Sequence, residues 1–109
     1  MIIKNGLVVD PALGLSEKMD LAIENGTILK MEKNIDTDHV SNDTVVLDAT
    51  GLVVAPGLID THVHFRDPGF TYKEDLHTGA LAAAKGGFTS VICMANTSPV
   101  VDSLPVLKD

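Results

Sequence analysis

The feature that most restricts the fold of this 109-residue chain is an apolar run from Leu52 to Ile59. Leu52-Val53-Val54-Ala55 and Leu58-Ile59 bracket Pro56-Gly57 with no polar residue between them. A strand of this composition suits a sheet covered on both faces, as in parallel α/β architectures. The following sequence has the matching order. A polar loop containing glycine and proline runs from His64 to Thr71, and Thr71-Tyr72-Lys73-Glu74 has the form of a capping box that opens a helix. The helix continues through Leu76, Ala80, Leu81 and Ala84, and Gly86-Gly87 ends it. Thr89-Ser90-Val91-Ile92-Cys93-Met94 reads as a second buried strand, and Ser103 to Asp109 as the start of another helix. This is βαβ order, for which a parallel sheet and a right-handed crossover are expected.

The residues before Leu52 have a different character. Ile2-Ile3-Lys4 runs into Asn5-Gly6, and Leu7-Val8-Val9 resumes before Asp10-Pro11. Two further runs, Asp20–Glu24 and Thr27–Met31, flank Asn25-Gly26. Asn-Gly between such runs predicts a hairpin, because a type I′ turn needs positive φ at both central residues. Residues 33–43 are polar and read as a loop, Thr44–Asp48 as another strand, and Ala49-Thr50-Gly51 as a turn. The sequence therefore predicts a small all-β, sandwich-like or partly barrelled domain over residues 1–51 and an α/β domain over residues 52–109.

Lys+Arg 8 against Asp+Glu 15 gives a net charge of 8 − 15 = −7. That balance argues against nucleic-acid or anionic-membrane partners, which call for clustered Lys and Arg. It leaves room for a small anionic substrate, since one well-placed arginine reverses the local field. A single cysteine, Cys93, precludes an intrachain disulfide and fits a reducing compartment. The N-terminus turns polar before a secretory apolar region forms, and no apolar run approaches the roughly 20 residues of a membrane span. The expectation is a soluble, cytoplasmic protein.

The chemistry is concentrated in Asp60-Thr61-His62-Val63-His64, directly after the first apolar strand. Side chains alternate along a strand, so His62 and His64 project to one side. Two imidazoles a short step apart are what a zinc-class cation takes from one structural element. The carboxyl end of a parallel strand is also where α/β enzymes collect catalytic groups. The same pair could instead cap the strand through hydrogen bonds. Arg66 could pair with Asp67 in an exposed ion pair, and Asn96 could be a turn or helix-cap residue. Asp60 is either a turn carboxylate or a group orienting His62 or a neighbouring backbone amide. His77 falls on the helix, His39 in a polar loop, and Cys93 reads as a small buried hydrophobe.

Val53 to Gly69, containing Ala55-Pro56-Gly57-Leu58-Ile59-Asp60-Thr61-His62-Val63-His64, resembles the metal-binding signature of the amidohydrolase superfamily. Within it, His-Val-His-Phe-Arg-Asp-Pro-Gly at 62–69 is similar to dihydroorotases of the longer, bacterial type, and Met94-Ala95-Asn96-Thr97 matches a second segment of that family. The resemblance implies a (β/α)8, TIM-like metal-dependent hydrolase barrel preceded by a small β domain. It implies reversible interconversion of L-dihydroorotate and N-carbamoyl-L-aspartate in pyrimidine synthesis, with one or two zinc ions per complete site. His62 and His64 carry over as metal ligands, and Arg66 and Asn96 as binders of the substrate carboxylate.

A whole barrel of this kind needs about 200 residues or more. The family's bridging carboxylate, further histidines and general base are therefore expected beyond Asp109. The polypeptide as given is expected to be incomplete and inactive alone, with the rest of its own barrel as its main partner. A homodimer and aspartate carbamoyltransferase are further partners that the resemblance allows. Two other readings stand beside the leading one: a sibling cyclic amidohydrolase such as a hydantoinase or allantoinase, and a non-catalytic dihydroorotase-like partner of aspartate carbamoyltransferase.

Overall fold

Runs of β-branched and aliphatic residues in the first 54 positions pair into one mixed sheet in the computed structural model, which describes residues 1–108. Its strands are β1 (Ile2–Asp10), β2 (Leu15–Glu24), β3 (Thr27–Glu32), β4 (Val46–Asp48) and β5 (Val53–Val54). The order is β3-β2-β1-β4, antiparallel from β3 to β1 and parallel between β1 and β4. β5 also runs parallel to β1, at Leu7 and Val8. The expected hairpin forms, with Asn25 at φ 49° and Gly26 at φ 74°.

Asn5-Gly6 does not interrupt the first strand as the sequence suggested. β1 passes through it, and Lys4 and Asn5 together face the single residue Asp20 between the pairs Ile3–Leu21 and Gly6–Met19. This is a β-bulge: one extra residue leaves a backbone amide outside the ladder. The Asp20 carboxylate takes that amide, accepting from Asn5 N–H at 2.7 Å through Oδ1. Its Oδ2 accepts from Ile35 N–H at 2.9 Å and pairs with Lys4 Nζ at 2.6 Å. Lys4 Nζ also donates to the Ile35 carbonyl at 2.7 Å and to Asn34 Oδ1 at 3.1 Å. A polar loop with little apolar surface of its own is thus pinned to the sheet by a charged knot at a carboxylate only 2% exposed. Ile2, Val8, Leu21, Ile35 and Ala49 form the small core around it.

The apolar run Leu52–Ile59, read as one strand, is two. Val53–Val54 belongs to the first sheet, while β6 (Leu58–Val63) pairs in parallel with β7 (Phe88–Cys93) in a second. Pro56 has no N–H for a ladder, and the chain divides there into one compact unit, Met1–Pro56, and another from Gly57 onward. Residues 52–56 therefore group with the β-rich unit rather than with the α/β segment to which the sequence assigned them. The first unit is a single five-stranded mixed sheet, which fits the expected small β-rich domain.

Helix α1 (Leu76–Lys85) crosses between β6 and β7 and packs on β7, giving the expected parallel βαβ unit. Its cap is Asp75 instead of Thr71. Asp75 Oδ1 accepts from Thr78 N–H at 2.7 Å, and Thr78 Oγ1 accepts from Asp75 N–H at 3.1 Å. Phe70 N–H and Lys73 N–H are already committed to the Arg66 and Phe70 carbonyls, which closes turns where the helix was expected to begin. Gly86-Gly87 ends it as predicted, and a short helix α2 (Leu104–Lys108) follows. The expected double-sided burial of the second sheet does not hold among the described residues: Ile59 is 65% exposed, Ile92 56%, and Cys93 is exposed as well. No helix among the described residues is long and apolar enough to cross a membrane.

Burial alone raises the Asp20 carboxyl, but the bonded Lys4 ammonium and the Asn5 and Ile35 amides outweigh it and hold the group below its ordinary value. A depressed native pKa stabilises the fold above the unfolded carboxylate value, and that stabilisation is lost as pH falls through the native one. Asp48, held low by the Thr50 hydroxyl and the Asn5 amide, and Asp75, held low by the Thr78 amide and hydroxyl, act in the same direction. Asp20→Leu leaves two amides without their acceptor and Lys4 without its counter-charge, and is expected to cost about 3 kcal/mol in urea unfolding, the low end for a broken buried pair because Lys4 is partly exposed and keeps two neutral acceptors. The variant should also lose part of the native protein's acid sensitivity below about pH 4.

Candidate functional site

The site grows from the carboxyl ends of β6 and β7. Between the pairs Asp60–Val91 and Val63–Cys93, two residues of β6, Thr61 and His62, face the single residue Ile92 of β7. A bulge thus falls at His62, and Asp60 Oδ1 accepts the His62 N–H at 2.9 Å. This bond to the amide two residues on is also the local contact of a turn carboxylate, so it fits both roles open to Asp60 from the sequence. Bulges re-aim side chains at the rims of sheets. Here the strand resumes its alternation through Val63, and the rings of His62 and His64 lie with centroids 5.2 Å apart and planes at 64°.

After β6 the chain turns into the loop carrying Arg66, anchored by the buried ring of Phe65. Arg66 is half-buried, and among the described residues its guanidinium makes no ion pair, so the Arg66–Asp67 pairing open to the sequence is not formed. The loop after β7 lies alongside. Met94 N–H donates to the Val63 carbonyl at 2.8 Å, and Ser98 N–H to the Pro68 carbonyl at 3.2 Å. Thr97 is buried and donates its hydroxyl to the Pro99 carbonyl at 2.7 Å. Gly69 has φ 89°, and a side chain there would run into the carbonyl of Ser98. The two loops are therefore in backbone contact.

That contact brings together residues 32 positions apart: His64 Nδ1 and Asn96 Oδ1 are 2.9 Å from each other. Three of the four sequence-predicted site residues, His62, His64 and Asn96, so form one group, with Arg66 two residues from His64. His77 lies on the exposed surface of α1, and the structure gives it no place in the group. A hollow of about 560 Å³ in this unit, lined by Phe65, Leu76, Met94 and Val101 among others, includes neither histidine. The candidate site is an open rim, not that cavity. Among the described residues no cluster of three or more metal-binding side chains forms.

The family described as dihydro-orotase-like matches residues 51–107, which is more than half of the chain and includes the whole of this group. The chain belongs to the dihydroorotase-like family. Among curated relatives of this dihydroorotase-like chain, the dihydroorotase of Streptococcus thermophilus is 55% identical over 109 residues, and that of Aquifex aeolicus is 48% identical over 108. The chain covers 100% and 99% of itself in these matches but spans only 25% of either relative's length. In three dimensions it is similar to the L-hydantoinase (dihydropyrimidinase) of Arthrobacter aurescens, with a TM-score of 0.76 and 28% identity over 98% of this chain and 23% of that one. A D-hydantoinase structure gives 0.71 and 35%, covering 86% of this chain and 20% of the other.

The Asp60 contact is testable by itself. In Asp60→Ala the bulge amide loses its acceptor, worth about 1 kcal/mol, and hydrogen exchange at the His62 N–H should quicken several-fold. Asp60→Asn, which keeps an acceptor oxygen, should leave the exchange near its native rate.

Proposed function

We propose that this chain is the N-terminal part of a dihydroorotase, a zinc-dependent cyclic amide hydrolase interconverting L-dihydroorotate and N-carbamoyl-L-aspartate in cytoplasmic pyrimidine synthesis. The observation that carries the reading is the meeting of His62, His64 and Asn96 at the carboxyl end of a parallel strand pair, with Arg66 on the adjoining loop. The β6-α1-β7 unit is then the beginning of a (β/α)8 barrel, and the mixed sheet of residues 1–56 part of its β-rich companion domain.

The two imidazoles fit zinc as part of its ligand set. They are nitrogen donors on one rim, and Nε2 of His64 and both nitrogens of His62 have no hydrogen-bond partner among the described residues. A catalytic zinc site has three protein ligands, so in this reading the remaining ligands and the general base follow Asp109. When bound, zinc supplies Lewis acidity and lowers the pKa of water. Arg66 offers forked N–H donors that suit a carboxylate, and the Asn96 amide adds a further donor. An anionic substrate is thus met by one guanidinium on a chain whose net charge is −7.

Hydantoinase activity is the second reading, favoured by the solved structures of that activity that the fold resembles. Identity is lower there, 28% and 35%, than to the dihydroorotases at 48–55%. Assays of the longer polypeptide carrying this chain, on dihydroorotate, carbamoyl-aspartate, hydantoins and allantoin, should show turnover of the first two. Turnover of hydantoins alone sinks the proposal. His62→Ala should lower zinc content together with activity. Arg66→Ala should raise KM roughly 10- to 150-fold, the equivalent of about 1.5–3 kcal/mol for hydrogen bonds to a charged group, with zinc retained. Zinc loss in Arg66→Ala refutes this division of labour.

A further inference from the structure

We propose that Asn96 is a positioning residue for His64, its amide oxygen fixing the imidazole proton on Nδ1 so that Nε2 is the ligating nitrogen. The inference deepens the functional reading above and rests on His64 being a metal ligand. An amide oxygen has no proton to give, so the 2.9 Å contact between His64 Nδ1 and Asn96 Oδ1 is a hydrogen bond only when Nδ1 carries the proton. In a neutral imidazole the other nitrogen then bears the lone pair. Ligating histidines are held in this way by a carbonyl or carboxylate on the far ring nitrogen, which sets both tautomer and ring orientation.

A turn or cap role for Asn96 would show as a bond from its side chain to nearby backbone. Among the described residues its only side-chain partner is His64, 32 positions away. The segment delivering it is fixed on both sides. Met94 N–H continues the ladder onto the Val63 carbonyl, and Ser98 N–H is bonded to the Pro68 carbonyl. Thr97, between Asn96 and Ser98, is buried. The amide has two ends with different work. Oδ1 is spent on His64, and Nδ2, without a partner among the described residues, is left to face an anion. One side chain then ties metal-ligand orientation to recognition of the substrate carboxylate.

The two ends separate by substitution in the longer, zinc-loaded polypeptide. Asn96→Leu removes both, and chelator competition should show zinc held about 10- to 100-fold more weakly. Asn96→Asp keeps an acceptor oxygen and loses the donor, so zinc should be held at least as tightly as in the native protein while KM for the anionic substrate rises. Long-range 15N correlation spectra of the zinc-free native protein should show His64 as the Nδ1–H tautomer; this needs no variant and holds even if Asn96→Leu fails to fold. An Nε2–H tautomer, or native zinc affinity in Asn96→Leu while His64→Ala is weakened, overturns the positioning role alone. Unchanged zinc affinity in His64→Ala overturns the metal-ligand reading, and the positioning role with it.

Discussion

The parallel pairing of β6 with β7 is the constraint on which the candidate site depends. It places two carboxyl ends side by side, so that loops distant in sequence leave the sheet together. Helix α1 provides the crossover that parallel neighbours require. With the strands in this register, the Val63 carbonyl is met by Met94 N–H, and the loop bearing Asn96 passes over His64. An antiparallel arrangement would send the two loops to opposite ends, and no contact between these side chains would be possible.

Both units solve the same local problem in the same way. Each sheet contains a bulge whose surplus amide is taken by an aspartate: Asn5 N–H by Asp20, and His62 N–H by Asp60. The settings differ. Asp20 is buried and must also neutralise Lys4, which makes it a structural centre for the first unit. Asp60 is partly open and, among the described residues, its carboxylate carries only that amide.

Much of this was legible in the residues. Asn25-Gly26 specified its turn, the apolar runs with Gly86-Gly87 between them specified the βαβ order, and the spacing of His62 and His64 specified a common side. The bulges were not legible, because a one-residue slip against a partner strand leaves no trace in the composition of either. The division of Leu52–Ile59 between two sheets was hidden for a related reason: Val53-Val54 and Leu58-Ile59 are equally apolar, and only Pro56 marks the break. Thr71-x-x-Glu74 and Asp75-x-x-Thr78 both have the form of a helix start, and the choice fell to turn bonds of Phe70 and Lys73 that no local pattern announces. The exposure of Cys93 depends on what lies over its strand, which is not a property of the strand's own sequence.

The close approach of Gly69 to the Ser98 carbonyl has a bearing on how this region can change over evolutionary time. Two segments whose backbones touch cannot drift independently: a side chain gained at position 69 displaces the other loop, and a residue inserted near Ser98 displaces the first. Changes of length in either loop are thereby opposed by the backbone of the other, whereas exposed side-chain tips can vary without moving it. The polar stretch at residues 33–43 is tied to the sheet through Lys33, Asn34 and Ile35 at its start, and the exposed positions after them are the kind of place where length can vary.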